Sequence, residues 1–315
     1  MSASARKPKL IAASLLLAVL LLVGGYLRLK NLENSPRWFR DEGTYWAVAH
    51  SMAHSETPRV GPLEVTYVSP YMTHPPLSFL LGSLWLRWGP AGEGLKGYRQ
   101  FNALLGVVSL ALMFWLGCCV GGLRLAVLAA LLGTLETTNL QFHRMGFPYN
   151  LYQVEALAVF LLVVFYLDDP RTKRLLPAVV VASFAAITVY YAVALWFVVG
   201  LAIISERRWR QIPALALLPL PLVILLAASA TAHGEGFWMD LARFREKSGA
   251  GDLATTLRHW KEFFALSWLV GNAPMFPPPW CIIGPMPRPS GSAIAMFITT
   301  RAILNLSGPK TCQGG

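Results

Sequence analysis

Charged side chains are scarce in this chain. Asp, Glu, Lys and Arg make up 14% of its 315 residues, about half the share of an ordinary soluble domain. With 55% hydrophobic residues gathered in long runs, that shortage excludes a water-soluble globule and points to an integral membrane protein. Cysteine is sparse as well. Cys118 and Cys119 lie inside an apolar run, and Cys281 and Cys312 stand alone near the end. No CxxC or metal-ligand spacing exists, so the cysteines give no disulfide framework. Repeats of fixed period are missing. So are an RNA-binding motif and any basic stripe interleaved with aromatics. The net charge of +11 is therefore read as the Lys and Arg excess of cytoplasmic loops, not as a nucleic-acid surface.

The hydrophobic residues fall into candidate spans at 10–29, 99–119, 122–140, 148–167, 175–204 and 211–231. Arg6, Lys7 and Lys9 precede the first. A signal peptide would look similar, but the apolar run is long and no small-x-small cleavage site follows. An uncleaved first span with a cytoplasmic N-terminus is the favoured reading. The piece "PPLSFLLGSLWLRWG" (75–89) is short and sets Arg87 between Trp85 and Trp88. If it lies in the outer interface, Arg124 and the cluster Arg171, Lys173 and Arg174 fall on the cytoplasmic side with the N-terminal tail. If it crosses, they face outward, so the interfacial reading is preferred. A single helix over 175–204 would be about 45 Å long, too long for a hydrocarbon core of about 30 Å. Two short passes meeting near Tyr190–Tyr191, packed inside the bundle, return "ERRWR" (206–210) to the cytoplasm.

The expected fold class is all-α, a polytopic helix bundle with seven spans through residue 231 and interfacial amphipathic helices in the first outer loop. The expected organisation is a membrane core over 1–234, an outer-face amphipathic segment over 235–262, and a Pro-rich C-terminal region over 263–315. The segments assigned to the outside carry balanced charge, with five acidic and three basic residues in 31–74 and five of each in 235–262.

Within "WFRDEGTYWAVAH" (38–50), Asp41 and Glu42 stand just beyond the first span. Tyr45, Val48, Ala49 and Met52 follow at the i, i+3, i+4, i+7 spacing that predicts one apolar face of a surface helix. Carboxylates at a helix start are favoured by capping and by the helix dipole, which is reason enough for the pair to be there. The functional alternative divides the labour. Adjacent helical side chains point about 100° apart, so one carboxylate would act as general base while the other orients it or holds a neighbour. "THPPL" (73–77) puts His74 at the mouth of the next helix, near free N–H groups that attract anions, or is simply a helix-start signal. "FHRMGFPYN" (142–150) places His143 and Arg144 at the outer end of a span. There an Arg would bind phosphate in two-pronged fashion or only snorkel. Glu136, inside the preceding span near its outer end, is an intramembrane acid and so a functional candidate, or the partner of a nearby Arg. Tyr190 and Tyr191 read first as aromatic-belt residues. His50 and His54, at i, i+4, suggest a metal pair, but no third ligand is evident.

Taken together, "RDEGTYW", "HPPL" and "HRMGFPYN" after an uncleaved first span resemble the C-type integral-membrane glycosyltransferases. The pattern is most similar to the protein O-mannosyltransferases and the aminoarabinose transferases of lipid A. The resemblance covers roughly residues 10–210 and makes 1–234 a glycosyltransferase core. It implies transfer of a sugar from a polyprenyl-phosphate carrier to a protein or lipid acceptor on the non-cytoplasmic face, in a plasma membrane of bacterial type. Asp41 matches the catalytic base and Glu42 its companion. His74 and Arg144, with His143 beside it, match positions near the carrier phosphate. Arg40, Glu136, Tyr190 and Tyr191 are further candidates. No cofactor is required, and a divalent metal is possible without being indicated. Members of the family usually continue through several more spans, so this chain reads as truncated at its C-terminus. The alternative in another class is a transporter or flippase of lipid-linked substrates, suggested by Glu136 and by the broken passes at 175–204.

Overall fold

The apolar runs become helices, and the backbone breaks where glycine, proline and polar clusters interrupt them. A computed structural model describes residues 3–34, 36, 40–54, 74–233, 235 and 238, all within one compact unit, Met1–Ser248. The helices are α1 (Ala3–Leu29), α2 (Arg40–Ala53), α3 (Leu77–Trp88), α4 (Leu95–Leu135), α5 (Thr137–His143), α6 (Tyr149–Asp168), α7 (Thr172–Ala185), α8 (Ala194–Ser205) and α9 (Leu220–His233). Tyr190–Val193 and Trp209–Leu217 form 3₁₀ turns. There is no strand among the described residues, so the fold is all-α. The expectations for 235–262 and 263–315 fall outside the described residues, apart from Glu235 and Trp238.

Three helical stretches are long and apolar enough to cross a membrane: Leu95–Leu135, Tyr149–Asp168 and Trp209–Ala228. Ala13–Leu29 and Tyr190–Ser205 are shorter. Seven full-length spans are therefore not what the helices present, and two local breaks explain the difference. The first is at Gly122, whose φ of 75° is open to glycine and strained for other residues. A Cβ built on Gly117 would meet the backbone of Ala126, and one on Gly133 would meet Met113 and Leu110. In a straight helix Gly117 and Ala126 would lie about 13 Å apart. α4 is thus an antiparallel hairpin folded at Gly122. Its first arm, 95–121, is about 40 Å long, while its second, 123–135, is only about 20 Å. The expected span 122–140 ends early, at Leu135.

The second break lies between α7 and α8. The chain leaves the α-helix at Ala186, makes a 3₁₀ turn over Tyr190–Val193, where the two short passes were expected to meet, and returns to α-helix at Ala194. The indole Nε1 of Trp196 donates across the break to the Ala182 carbonyl at 3.0 Å. Val179, Ala182, Val199 and Ile203 are fully buried with Val159 and Tyr166 of α6. One face of each short helix therefore packs into the bundle, while Leu176, Val180 and Phe184 of α7 and Phe197, Leu201 and Ile204 of α8 stand exposed, so the pair is not enclosed as expected.

Around this core the polarity is the reverse of a soluble protein. Leu22, Leu132, Phe197 and Ile224 stand exposed on helix exteriors, while Arg28 and Arg99 are buried. An apolar outside around paired charges fits a bilayer. α2 lies on α3, and α3 on the start of α4. Tyr45, Val48 and Ala49 face this packing with Phe79, Leu86, Tyr98 and Phe147, and Met52 joins them at the edge, as the spacing predicts. Burial of each large side chain of this set favours the docked helix by roughly 1.5–3 kcal/mol. α3 spans about 18 Å at 1.5 Å per residue, and it is not among the stretches long enough to cross.

Gly117→Val is expected to destabilise the protein by roughly 1–3 kcal/mol, because the Ala126 backbone cannot yield to the added side chain. Gly200→Val, at a position with nothing within 4 Å, is expected to be close to neutral. Thermal unfolding of the two variants in detergent checks both; equal midpoints would contradict the hairpin.

Candidate functional site

The Asp41–Glu42 pair separates as adjacent helical residues must. Glu42 turns inward and is fully buried. Its carboxylate takes two hydrogen bonds from the Arg99 guanidinium, from Nε and from Nη2, both at 2.7 Å, and a third from the Gly146 backbone N–H at 2.8 Å. Arg99 also donates from Nη1 to the Leu32 carbonyl at 2.8 Å. Gly146 has to be glycine, because a Cβ there would run into the Tyr98 ring. Glu42 is thus enclosed by protein groups. Through Arg99 and Gly146 it binds α2 to the end of α1, to α4 and to the 144–147 loop. Asp41 is exposed, and no hydrogen bond to its carboxylate is formed among the described residues.

His74 stands near Asp41. Its Nε2 is 3.0 Å from the Tyr45 hydroxyl, and the two rings meet edge to face. Burial pushes the His74 pKa below its ordinary value, and the Asp41 charge works against that shift. His74 is therefore favoured as a neutral hydrogen-bonding group, not as a fixed cation. The helix mouth beside it is less open than expected, because the Leu77 N–H donates to the Ile187 carbonyl at 3.0 Å. That bond ties "HPPL" to the break between α7 and α8. An aromatic line runs on from His74 to Tyr149, then to Tyr191, which also meets Tyr152 edge to face. Tyr191 is exposed and Tyr190 half-buried.

The 142–150 loop supplies two residues with different fates. Arg144 is half-buried, and its Nη2 donates to the Lys30 carbonyl at 2.6 Å. His143 is fully buried. Its Nδ1 accepts from Arg28 Nε at 3.1 Å, so Nε2 carries the proton and donates to Gln153 Oε1 at 2.6 Å. Both ring nitrogens of His143 are thus engaged with protein partners. Asn150 closes the loop from within, donating to Asn102 Oδ1 at 3.0 Å and to the Met145 carbonyl at 2.9 Å.

Glu136 lies at a helix junction and not inside a span. It is exposed at the junction of α4 and α5, and it caps α5 by accepting from the Thr138 N–H at 2.9 Å and from the Asn139 N–H. It borders an open cavity of about 520 Å³ lined also by Met113, Leu132, Phe142, Tyr149 and Gln153. The Arg40 side chain lies outside the described residues.

Sequence reasoning missed four residues. Arg28 and Arg99 were not singled out, yet both are fully buried and hydrogen-bonded within the protein. Glu93 gathers with His50 and His54, bringing beside the histidine pair a carboxylate that the sequence did not reveal. Glu155 is the one acid in the apolar run 149–167, and that alone could have found it. It is buried, accepts from the Thr188 hydroxyl at 2.8 Å through Oε1, and keeps a buried Oε2 without a partner among the described residues.

Comparison with models of known protein families, with curated proteins and with solved structures gave no match.

Two predictions follow from the buried charges. Arg99→Met leaves the Glu42 carboxylate uncompensated and is expected to cost about 3–5 kcal/mol; a shift of thermal midpoint below that of Lys96→Met, an exposed control, measures it. The second concerns pH. Burial and the neighbouring Arg28 charge lower the His143 pKa from 6.5 to about 4. Between those values the unfolded chain binds more protons than the folded one. The His143 contribution to stability is therefore complete above pH 6.5 and lost as pH falls toward 4, and His74 acts in the same direction. Unfolding midpoints across that window should fall for the wild type and fall less for His143→Gln.

Proposed function

We propose that this chain is a membrane glycosyltransferase similar to the polyprenyl-phosphate-dependent C-type enzymes, with Asp41 as its base. The observation that carries the reading is the division of the carboxylate pair. Glu42 is locked inside by Arg99 and Gly146, which leaves Asp41 exposed at the start of α2. His74, Tyr149 and Arg144 gather around the same end of the bundle. Asp41 acts electrostatically on His74 and Tyr149, and Arg99, which clamps Glu42, acts on Arg144.

In the proposed reaction an acceptor hydroxyl attacks the anomeric carbon from the face opposite the carrier phosphate. The hydroxyl proton passes to the Asp41 carboxylate. The new C–O bond forms as the bond from carbon to phosphate oxygen breaks, and the electron pair leaves with the polyprenyl phosphate. Configuration inverts. Arg144 offsets the charge that grows on the phosphate, and His74 donates a hydrogen bond to it. The open cavity beside Tyr149 suits the apolar part of a carrier. In this reading α1, the two arms of α4, α6, α7, α8 and the stretch 209–228 are each taken as one crossing, seven in all. The N-terminus is then cytoplasmic, Arg124, Arg171, Lys173 and Arg174 lie on the same side, and Asp41 faces outward in a bacterial-type plasma membrane.

A second reading, a transporter or flippase of lipid-linked substrates, draws support from Glu155. A buried intramembrane acid bonded to Thr188, at the break between α7 and α8, suits a translocation path.

Transfer from a radiolabelled polyprenyl-phosphate sugar by the protein in lipid, wild type beside Asp41→Asn, tests the choice. The variant is expected to lose at least 10²-fold in rate, on the order of a general-base contribution, while keeping its unfolding midpoint. Transfer at the wild-type rate in Asp41→Asn would remove Asp41 from the reaction. Transbilayer movement of the labelled lipid without chemistry would favour the second reading.

A further inference from the structure

The far side of α2 carries a separate cluster. His50 and His54 lie one helical turn apart with ring centroids 4.5 Å from each other. Glu93 comes to them from the loop between α3 and α4. Its Oε2 is 3.2 Å from His54 Nε2 and 3.9 Å from His50 Nε2. One donor atom from each residue lies within 4.8 Å of the other two. Zinc bound at about 2.0–2.2 Å to imidazole nitrogen and carboxylate oxygen needs tetrahedral ligand edges of roughly 3.3–3.5 Å, so small rotamer adjustments bring all three into range.

Hydrogen bonding fixes the chemistry further. His54 Nδ1 lies 2.9 Å from the His50 backbone carbonyl. A carbonyl only accepts, so Nδ1 carries the proton. In a neutral ring Nε2 is then an acceptor, and it lies 3.2 Å from a carboxylate oxygen of Glu93. Two acceptors at that distance are held together by a proton or by a metal cation between them. An Nδ1–H held by a backbone carbonyl is also the usual way in which a ligating histidine is oriented. The third ligand is positioned in turn, because Trp46 Nε1 donates to the Glu93 carbonyl at 3.0 Å.

We propose that His50, His54 and Glu93 form a binding site for a divalent cation of the zinc class, with a fourth position open to water. Two imidazoles and one carboxylate select a borderline cation over magnesium or calcium, which prefer all-oxygen shells. The site is apart from the candidate transfer centre. Nine residues separate His50 from Asp41 on one helix, which is half a turn in direction, so the two point to opposite faces of α2. The cation acts as a clamp. It fastens α2 to the loop that leads into α4, and so supports the helix that carries Asp41 without touching substrate. This assignment stands whether or not the chain transfers a sugar.

The test is calorimetric titration of zinc chloride into the chelator-treated full-length protein in detergent, with magnesium chloride as a second titrant. One equivalent of zinc is expected to bind, magnesium is not, and zinc is expected to raise the thermal midpoint. His54→Ala and Glu93→Gln should each weaken zinc binding at least tenfold, while the double variant Cys118→Ser, Cys119→Ser should bind like the wild type. Glu93→Gln is an exposed, conservative change, so its folding is secure even if His54→Ala misfolds. Absence of zinc binding, or binding unchanged in Glu93→Gln, would overturn the site and leave a protonated His54 paired with Glu93. Binding lost only in the cysteine variant would overturn it as well.

Discussion

The buried pair between Glu42 and Arg99 is the contact on which the rest of the described structure depends. Withdrawing two charges from water is costly, and the attraction between them compensates only when the geometry is good and the remaining polar sites are filled. Here they are. The guanidinium fork meets the carboxylate with two bonds, Gly146 adds a third, and the Leu32 carbonyl takes another N–H of Arg99. Four parts of the chain far apart in sequence thereby meet at one point: the end of α1, the start of α2, the start of α4 and the loop before α6. None can shift without breaking a charged hydrogen bond in a low-dielectric setting.

A second brace repeats the logic deeper in the bundle. Arg28 is fully buried at the end of α1 and donates to the Gly133 carbonyl at 2.7 Å as well as to His143. The Gly133 bond reaches the short second arm of α4, and the His143 bond passes on to Gln153 of α6. Apolar packing alone discriminates weakly among helix arrangements in lipid, because the tails outside are as apolar as the side chains inside. Directional bonds from two arginines supply register that the exposed leucines of these helices cannot.

Much of this was legible in the sequence, and the failures share one cause. Hydropathy located the helices, and the spacing of Tyr45, Val48 and Ala49 identified the buried face of α2. Length arithmetic exposed the break near Tyr190, since no single helix of thirty residues fits a bilayer. What stayed hidden were pairings across long sequence separations. Arg99 lies 57 residues from Glu42, and Arg28 lies 115 from His143. Nothing local distinguishes a cation that will be buried from one that will snorkel. Glu93 was invisible for the same reason, because a histidine pair at helical spacing meets this carboxylate only once the loop is folded onto it. Glu136 erred in the other direction. Hydropathy ran the span straight through it, whereas its carboxylate ends one helix and begins the next.

The arrangement at the start of α2 follows from these constraints in one last step. A carboxylate at the first turn of an isolated surface helix would sweep through several rotamers on a fraying end. Asp41 does not sit on such an end. Its neighbour Glu42 is held by three hydrogen bonds to two distant elements, so the backbone at position 42, and with it the Cα of Asp41, is fixed against the bundle. The next turn is fixed too, because Tyr45 is buried and its hydroxyl meets His74. Only the short side chain of Asp41 remains to move. A fully buried, fully bonded residue placed next to an exposed one of the same charge thus makes a positioned carboxylate from a pair that sequence chemistry alone could read as nothing more than a helix cap.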